Sequence, residues 1–280
     1  MGSLEGKVAF ITGVARGQGR SHALELAERG ADIIGVDICA NIDSLNYDLA
    51  TQSDLDETAK IIEKTGRRAY LRRADVRDLD GLQSVLQEGV SELGRLDIVV
   101  ANAGIFSMGP STEIGEQTWQ DMLDVNLTGV WHTVKAAVPH VRSHGRGGSI
   151  ILTSSVCGIV APPGLIHYNA AKFGVVGVMK TLAAELGSEY IRVNSVNPGN
   201  VDTPMIDNEF TRKQFLPDIE HPTREDAQKP GSRYITVNSI PVPWVDPQDV
   251  SEVVAFLASD EARYITGIVV PIDAGLLVKQ

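Results

Sequence analysis

The stretch Lys7-Val8-Ala9-Phe10-Ile11-Thr12-Gly13-Val14-Ala15-Arg16-Gly17-Gln18-Gly19 runs from an apolar segment into a glycine-rich turn, and the amphipathic segment Ser21 to Arg29 follows it. A short apolar run closed by glycines reads as a strand, a turn and the start of a helix. At such a helix start the first backbone N–H groups lack partners and the helix dipole is positive, so a pyrophosphate is stabilised there. Gly13, Gly17 and Gly19 permit that close approach. Their spacing is Gly-x-x-x-Gly-x-Gly, whereas the usual dinucleotide fingerprint is Gly-x-Gly-x-x-Gly. Taken alone, the turn is as readily a plain loop.

Outward from this turn the same rhythm repeats. The strand Ala31 to Asp37 comes next, then a helix from about Leu55 to Lys64, a strand at Ala69 to Arg72, a helix Leu79 to Leu93 and the strand Asp97 to Ala101. A long helix is predicted over roughly Glu116 to Val141. It is followed by the strand Ser149 to Thr153, the helix Tyr168 to Leu186, the strand Ile191 to Ser195, the helix Pro247 to Ala258 and the strand Ile268 to Pro271. Strands apolar on both faces that alternate with helices require a parallel sheet covered on both sides. The series predicts one doubly wound α/β domain over residues 1–280 with a seven-stranded parallel sheet. Two polar stretches interrupt it, residues 39–52 after the second strand and the proline-rich residues 207–245. Both are longer than ordinary connections, which marks a cofactor-side loop and a substrate lid.

Composition narrows the function. The 280 residues are 43% hydrophobic and 22% charged, as in a globular domain. A net charge of −11 repels nucleic-acid backbones and anionic membranes, so neither is an expected partner. Cys39 and Cys157 form neither a metal cluster nor a disulfide framework, and the six histidines are scattered singly, so no metal site is assigned. The N-terminal residues leave no room for a signal peptide, Gly6 spoils a myristoylation motif, and no window is apolar enough to span a bilayer. A cytoplasmic location is expected.

The chemistry-bearing residues lie at the ends of the strands. Asp37 ends the second strand, 18 positions after Gly19, where a carboxylate can hold a ribose diol; its bland reading is an exposed turn residue. Tyr168 and Lys172 are four apart and share a helix face, so an ammonium can favour the phenolate of a general acid/base. Ser155 is placed to hold a developing oxyanion. A lone Tyr-x-x-x-Lys is equally a snorkelling lysine beside a half-buried tyrosine.

The conjunction is more specific than any part. Thr12-Gly-x-x-x-Gly-x-Gly19, Asp75-Val76, Asn102-Ala103-Gly104, Asn126, Ser155, Tyr168-x-x-x-Lys172 and Pro198-Gly199 through Thr203 occur in an order and spacing that resemble the classical short-chain dehydrogenases/reductases over essentially the whole length. The resemblance implies a Rossmann fold and a nicotinamide cofactor. By it, Gly13, Gly17 and Gly19 hold the pyrophosphate, Asp75 and Val76 flank the adenine, and Asn102, Ala103 and Gly104 line the cleft. Pro198, Val201 and Thr203 line the nicotinamide side, with Thr203 on the carboxamide. Asn126 fixes a water relaying protons to Lys172, Lys172 holds the ribose and tunes Tyr168, and the family spacing of 13 selects Ser155 over Ser154. Arg16 would suit the 2′-phosphate of NADP, whereas the Asp37 carboxylate would repel it. Asp37 decides for NAD, which leaves Arg16 to pair with a surface carboxylate.

The two insertions resemble those of the actinobacterial carveol dehydrogenase-like subgroup. That likeness implies tightly retained NAD, mycofactocin as external redox partner and a homotetramer. The expected substrate is a small apolar alcohol or ketone of terpenoid type. Ile105, Phe106, Met108, Pro162, Pro163, Leu165, Met205, Ile206 and Trp244 are the expected lining, although the same residues could be core. Two alternatives stand beside this reading: a 3-oxoacyl-acyl-carrier-protein reductase, which the acidic surface disfavours, and a non-catalytic NAD(H)-binding sensor, which would not need Asn126, Ser155, Tyr168 and Lys172 together.

Overall fold

The computed structural model describes residues 2–279, so the two ends of the expected 1–280 domain lie outside the described residues. Its strands are β1 (Val8–Thr12), β2 (Asp32–Asp37), β3 (Ala69–Arg73), β4 (Ile98–Ala101), β5 (Gly148–Thr153), β6 (Ile191–Pro198) and β7 (Val269–Ile272). They form one parallel sheet in the order β3-β2-β1-β4-β5-β6-β7. The helices α1 (Gly17–Glu28), α2 (Gln52–Lys64) and α10 (Pro247–Ala258) cover one face. The other face is covered by α3 (Leu79–Leu93), α5 (Gly129–Arg142) and α6 (Ile166–Leu186).

Each strand feeds both cores. Val8 and Phe10 of β1 belong to the cluster with α3, α5 and α6, whereas Ala9 and Ile11 pack toward α1 and α10. This period of two explains why these strands read as uninterrupted apolar runs. Strand order reverses at β1, which lies between β2 and β4, and a crevice at the carboxyl ends of β1 and β4 is where an open α/β sheet takes its ligand.

The long helix expected over 116–141 is interrupted. The helix α4 (Glu116–Leu123) passes into a π-helical turn at Asp124–Thr128 before α5 begins. A hydrophobic period cannot register one extra residue in a turn, and such turns often sit at functional sites. The helix α2 starts three residues earlier than its apolar pattern suggests, because Thr51 and Asp54 form a reciprocal capping box.

The segment 207–245 is ordered by three short helices, α7 (Glu209–Phe215), α8 (Arg224–Gln228) and α9 (Arg233–Thr236). Each is too short to carry a clear period. Phe215 stacks on Tyr234 at 4.5 Å, and Tyr234 meets Trp244 edge-on at 5.7 Å. Arg224 bridges Asp202 and Asp207, tying this segment to the chain just after β6.

Ala274 adopts a left-handed conformation with φ 51°, in the Asp273-Ala274-Gly275 turn whose main-chain carbonyl at Ala274 accepts from Ser239 and Ile240. A non-glycine residue is strained there by about 1–2 kcal/mol, partly offset by the greater backbone freedom that glycine loses on folding. Ala274→Gly is therefore expected to stabilise the protein by about 0.5–1 kcal/mol, read as a raised urea midpoint at unchanged m-value; an unchanged or lowered midpoint would show the turn to be relaxed.

Candidate active site

Two adjoining cavities open on the carboxyl edge of the sheet. The first, of about 140 Å³, is lined by the glycine turn, Asp37, Asp75, Val76, Asn102, Ala103 and Gly104. The second, of about 440 Å³, is lined by Ser155, Tyr168, Lys172, Pro198, Val201 and apolar side chains. Gln18, Asn102, Gly104, Ile105, Thr203 and Met205 belong to both.

The first cavity fits the phosphates and one ribose of a dinucleotide. Arg16 precedes α1 in extended conformation without a side-chain cap, so the amides of the first turn remain available to an anion. Gly13 has φ 68°, and a Cβ there would approach Ala103 Cα to 2.9 Å; a Cβ at Gly19 would strike the carbonyl oxygen of Gly13 at 1.9 Å. The Asp37 carboxylate accepts the Ala15 N–H at 3.1 Å and the Cys39 N–H at 3.2 Å. Burial nevertheless raises its pKa, with these two amides and Arg16 pulling the other way.

Among the described residues, Arg16 pairs with no carboxylate. Its guanidinium donates to the main-chain oxygen of Asp48, at 2.5 Å, and so joins the glycine turn to the 39–52 loop. That loop folds over the cleft with Ile42, Tyr47, Leu49 and Ala50 in the lining. The Tyr47 hydroxyl accepts the Phe106 N–H at 3.1 Å, and burial pushes the phenol up to about 12. Ser44 donates to Asp121, which also takes Arg77, and Arg77 in turn holds Asp75 at 2.7 Å. Nothing in the residue pattern pointed to Tyr47; its signal was a single aromatic in an otherwise polar insertion.

At the second cavity Ser154 donates to the main-chain oxygen of Lys172 at 2.9 Å, whereas Ser155 caps the turn Val156–Gly158 through the Cys157 N–H and donates to the Pro198 oxygen at 3.4 Å. Lys172 Nζ donates to the Thr153 oxygen at 2.9 Å and lies 5.6 Å from the centre of the Tyr168 ring. Phe106 meets that ring edge-on at 5.1 Å. Burial dominates both ionisations: it pushes the Tyr168 phenol well above its ordinary value and lowers Lys172 to about 8. The Ser155 hydroxyl, rather than the Lys172 ammonium as expected, is the group that draws the phenol pKa down.

Asn126 does not reach either cavity. Its Oδ1 accepts the Ile105 N–H at 2.8 Å and its Nδ2 donates to the Ile105 oxygen at 2.8 Å and to Met122 Sδ, so the side chain is anchored to the Ile105 main chain. The π-helical turn places it there. A Cβ on Gly104 would come within 3.0 Å of Asn126 Oδ1 and 3.7 Å of Lys172 Nζ, so Asn126 backs the wall on which the lysine rests.

Of the expected apolar lining, Ile105, Phe106, Pro162, Leu165, Met205 and Ile206 face the second cavity. Trp244 belongs to the aromatic cluster of the 207–245 segment instead, and Phe215, Val156, Cys157, Val237 and Leu276 take part unannounced by the sequence. His167, one of the scattered histidines, is fully buried and hydrogen-bonded to Ser107 at 2.8 Å.

A doubly wound sheet with a glycine turn at its switch point and a buried Ser-Tyr-Lys group beside it defines a nucleotide-dependent oxidoreductase site, and the chain belongs to the short-chain dehydrogenase/reductase family. The profile described as enoyl-(acyl carrier protein) reductase matches residues 13–277. A (−)-trans-carveol dehydrogenase of Rhodococcus erythropolis is 53% identical over 280 residues, covering 100% of both chains. The crystal structure of a carveol dehydrogenase from Mycobacterium avium in complex with NAD superposes with a TM-score of 0.97 at 53% identity, again over 100% of both chains. A 3-oxoacyl-(acyl-carrier-protein) reductase of Thermotoga maritima is 36% identical over 276 residues, covering 98% of this chain and 99% of its own.

The lowered Lys172 pKa makes a stability prediction. Below about 8 the folded protein buries a charged ammonium, and between about 8 and the ordinary value of 10.5 the unfolded chain binds the extra proton, so this contribution to stability rises with pH in that window. Relative to Lys172→Met, the wild type should gain stability on going from pH 7.5 to pH 9.5. Chemical unfolding of both proteins at the two pH values checks it, and a constant difference would place the lysine near its ordinary pKa.

Proposed function

We propose that the protein is an NAD-dependent oxidoreductase that moves a hydride between nicotinamide and the carbon of a small apolar secondary alcohol or ketone, of the terpenoid, carveol-like type. The observation that carries this reading is the meeting of Ser155, Tyr168 and Lys172 on an apolar cavity that shares a wall with the dinucleotide cleft. The carveol dehydrogenases at 53% identity support both the cofactor and the substrate class. A 36% identical relative is weaker support for a 3-oxoacyl-acyl-carrier-protein reductase, whose acidic carrier a net charge of −11 would repel.

NAD, when bound, supplies the hydride acceptor at its nicotinamide ring. The chain's own residues do the rest. Ser155 Oγ, at the end of β5, holds the reacting oxygen. The Tyr168 phenol donates its proton to that oxygen in the ketone direction and receives it in the alcohol direction. Lys172, fixed by the Thr153 carbonyl, places positive charge beside both, which strengthens as water is excluded by the lid. Asn126 acts behind them as a positioning residue. Asp37 holds the adenosine ribose and excludes a 2′-phosphate; Gly13, Gly17 and Gly19 take the pyrophosphate; Asp75 and Val76 flank the adenine; Asn102 to Gly104, Pro198, Val201 and Thr203 complete the nicotinamide side. Arg16 serves the cofactor indirectly, by holding the loop.

The 39–52 loop supports tight retention of NAD, since Arg16, Tyr47 and Ser44 must each release a partner before it can open, and mycofactocin is the external acceptor that such retention would call for. A homotetramer is supported by Trp131 and Phe173, each 44% exposed on α5 and α6. Two unpaired thiols, Cys39 and Cys157, suit a reducing cytoplasm.

Tyr168→Phe should lower turnover by ~10²- to 10⁴-fold while leaving the dissociation constant for NADH within twofold, because only the transferable proton is lost. Stopped-flow oxidation of a cyclic terpene alcohol and NADH fluorescence titration measure the two. A variant with more than a tenth of the wild-type rate would remove Tyr168 from the acid/base role.

Freshly purified protein, denatured and assayed enzymatically, should release close to one NAD(H) per chain. Tyr47→Phe should raise the NADH off-rate by several-fold through loss of its bond to the Phe106 amide. Protein that arrives without cofactor and exchanges it rapidly would refute retention.

A further inference from the structure

Gln18 occupies the first turn of α1, between two of the phosphate-cradle glycines, and neither the fold nor the proton chemistry above uses its side chain. It lines both cavities, one of six residues to do so. Its Oε1 is buried and has no hydrogen-bond partner among the described residues. An unpaired buried acceptor is costly, and native proteins keep one mainly where a ligand supplies the missing donor. Thr203 also lines both cavities, and its Cγ2 would lie 3.3 Å from a Cβ placed on Gly17, the residue before Gln18.

The donor required at that junction can be named by elimination. The reacting oxygen of the substrate is already served by Ser155 and Tyr168, and the remainder of the substrate cavity is largely apolar. A phosphate oxygen is an acceptor and cannot satisfy Oε1. The N–H₂ of a carboxamide can, and so can a ribose hydroxyl, which ADP-ribose also carries and the binding comparison below separates. We infer that Gln18 is a positioning residue for the cofactor: its Oε1 accepts a hydrogen bond from the nicotinamide carboxamide, holding the ring at a fixed rotation about its glycosidic bond where the two cavities meet. This rests on the NAD reading above and adds a specificity to it, since a nicotinamide analogue without the amide nitrogen leaves Oε1 unpaired.

The experiment compares NAD, 3-acetylpyridine adenine dinucleotide, in which a methyl replaces the amide nitrogen, and ADP-ribose, which has no pyridine ring. Protein stripped of bound cofactor is titrated with each, in competition with NADH fluorescence, as wild type, Gln18→Met and Gln18→Glu. Wild type should bind NAD about tenfold more tightly than the acetylpyridine analogue, the effect of one net hydrogen bond. Gln18→Met should bring the two within about twofold of each other, Gln18→Glu should keep the ratio between them because it keeps an acceptor while its charge beside the pyrophosphate weakens every ligand, and ADP-ribose should bind wild type and Gln18→Met alike. Unchanged discrimination in Gln18→Met, or an equal loss of ADP-ribose and NAD, overturns the inference while leaving the NAD reading in place. Wild type that binds none of the three overturns both.

Discussion

The Thr12 hydroxyl accepts two main-chain N–H groups, those of Asn102 at 3.0 Å and Ala103 at 3.1 Å, and the Asn102 side chain donates back to the Thr12 carbonyl at 3.1 Å. These bonds close the point where the sheet changes direction. Beyond the last ladder pairs of β1 and β4, both chains must leave the sheet with their backbone groups satisfied, or the crevice would expose unpaired amides to a buried wall. Because one side chain on each strand satisfies the other, the glycine turn and the Asn102-Ala103-Gly104 segment can face each other across a gap narrow enough to hold a ligand. The nearness of Gly13 to Ala103 follows from this clamp, and Gly104, two residues on, carries the lysine wall.

Burial is the second constraint, and it sets the character of the proton chemistry. Tyr168 and Lys172 are 9% and 3% exposed, and each is displaced toward its neutral form. The phenol therefore rests as a proton donor, the form wanted for reduction of a ketone. The proposed oxidation of an alcohol asks the opposite of the same group, and the hydrogen bond from Ser155 is what draws its pKa down.

The sheet was legible in the sequence because a strand buried on both faces leaves a continuous apolar run, and all seven such runs became strands. Asp37, Tyr168 and Lys172 were legible for another reason: each sits at a fixed distance along a regular element from a feature that could be recognised. What escaped were contacts between segments far apart in the chain. Arg16 meets an oxygen of Asp48 and Tyr47 meets an amide 59 positions away, and no periodicity records either. Asn126 was legible as a residue but not as a geometry, since the π-helical turn that points it at Ile105 leaves no mark in the pattern of apolar positions.

The position of Arg16 bears on how such a protein could change its dinucleotide. With a basic residue already beside the phosphate cradle, a single loss of the Asp37 carboxylate looks sufficient to admit a 2′-phosphate. In this chain the guanidinium is already the tether of the loop, and releasing it to a phosphate would cut that tether. A lineage moving between the two dinucleotides would have to cross a variant in which the loop is loose and the new phosphate is held by a group doing two jobs. The loop thus acts as a ratchet on cofactor choice, making a switch that is short in sequence long in intermediate forms.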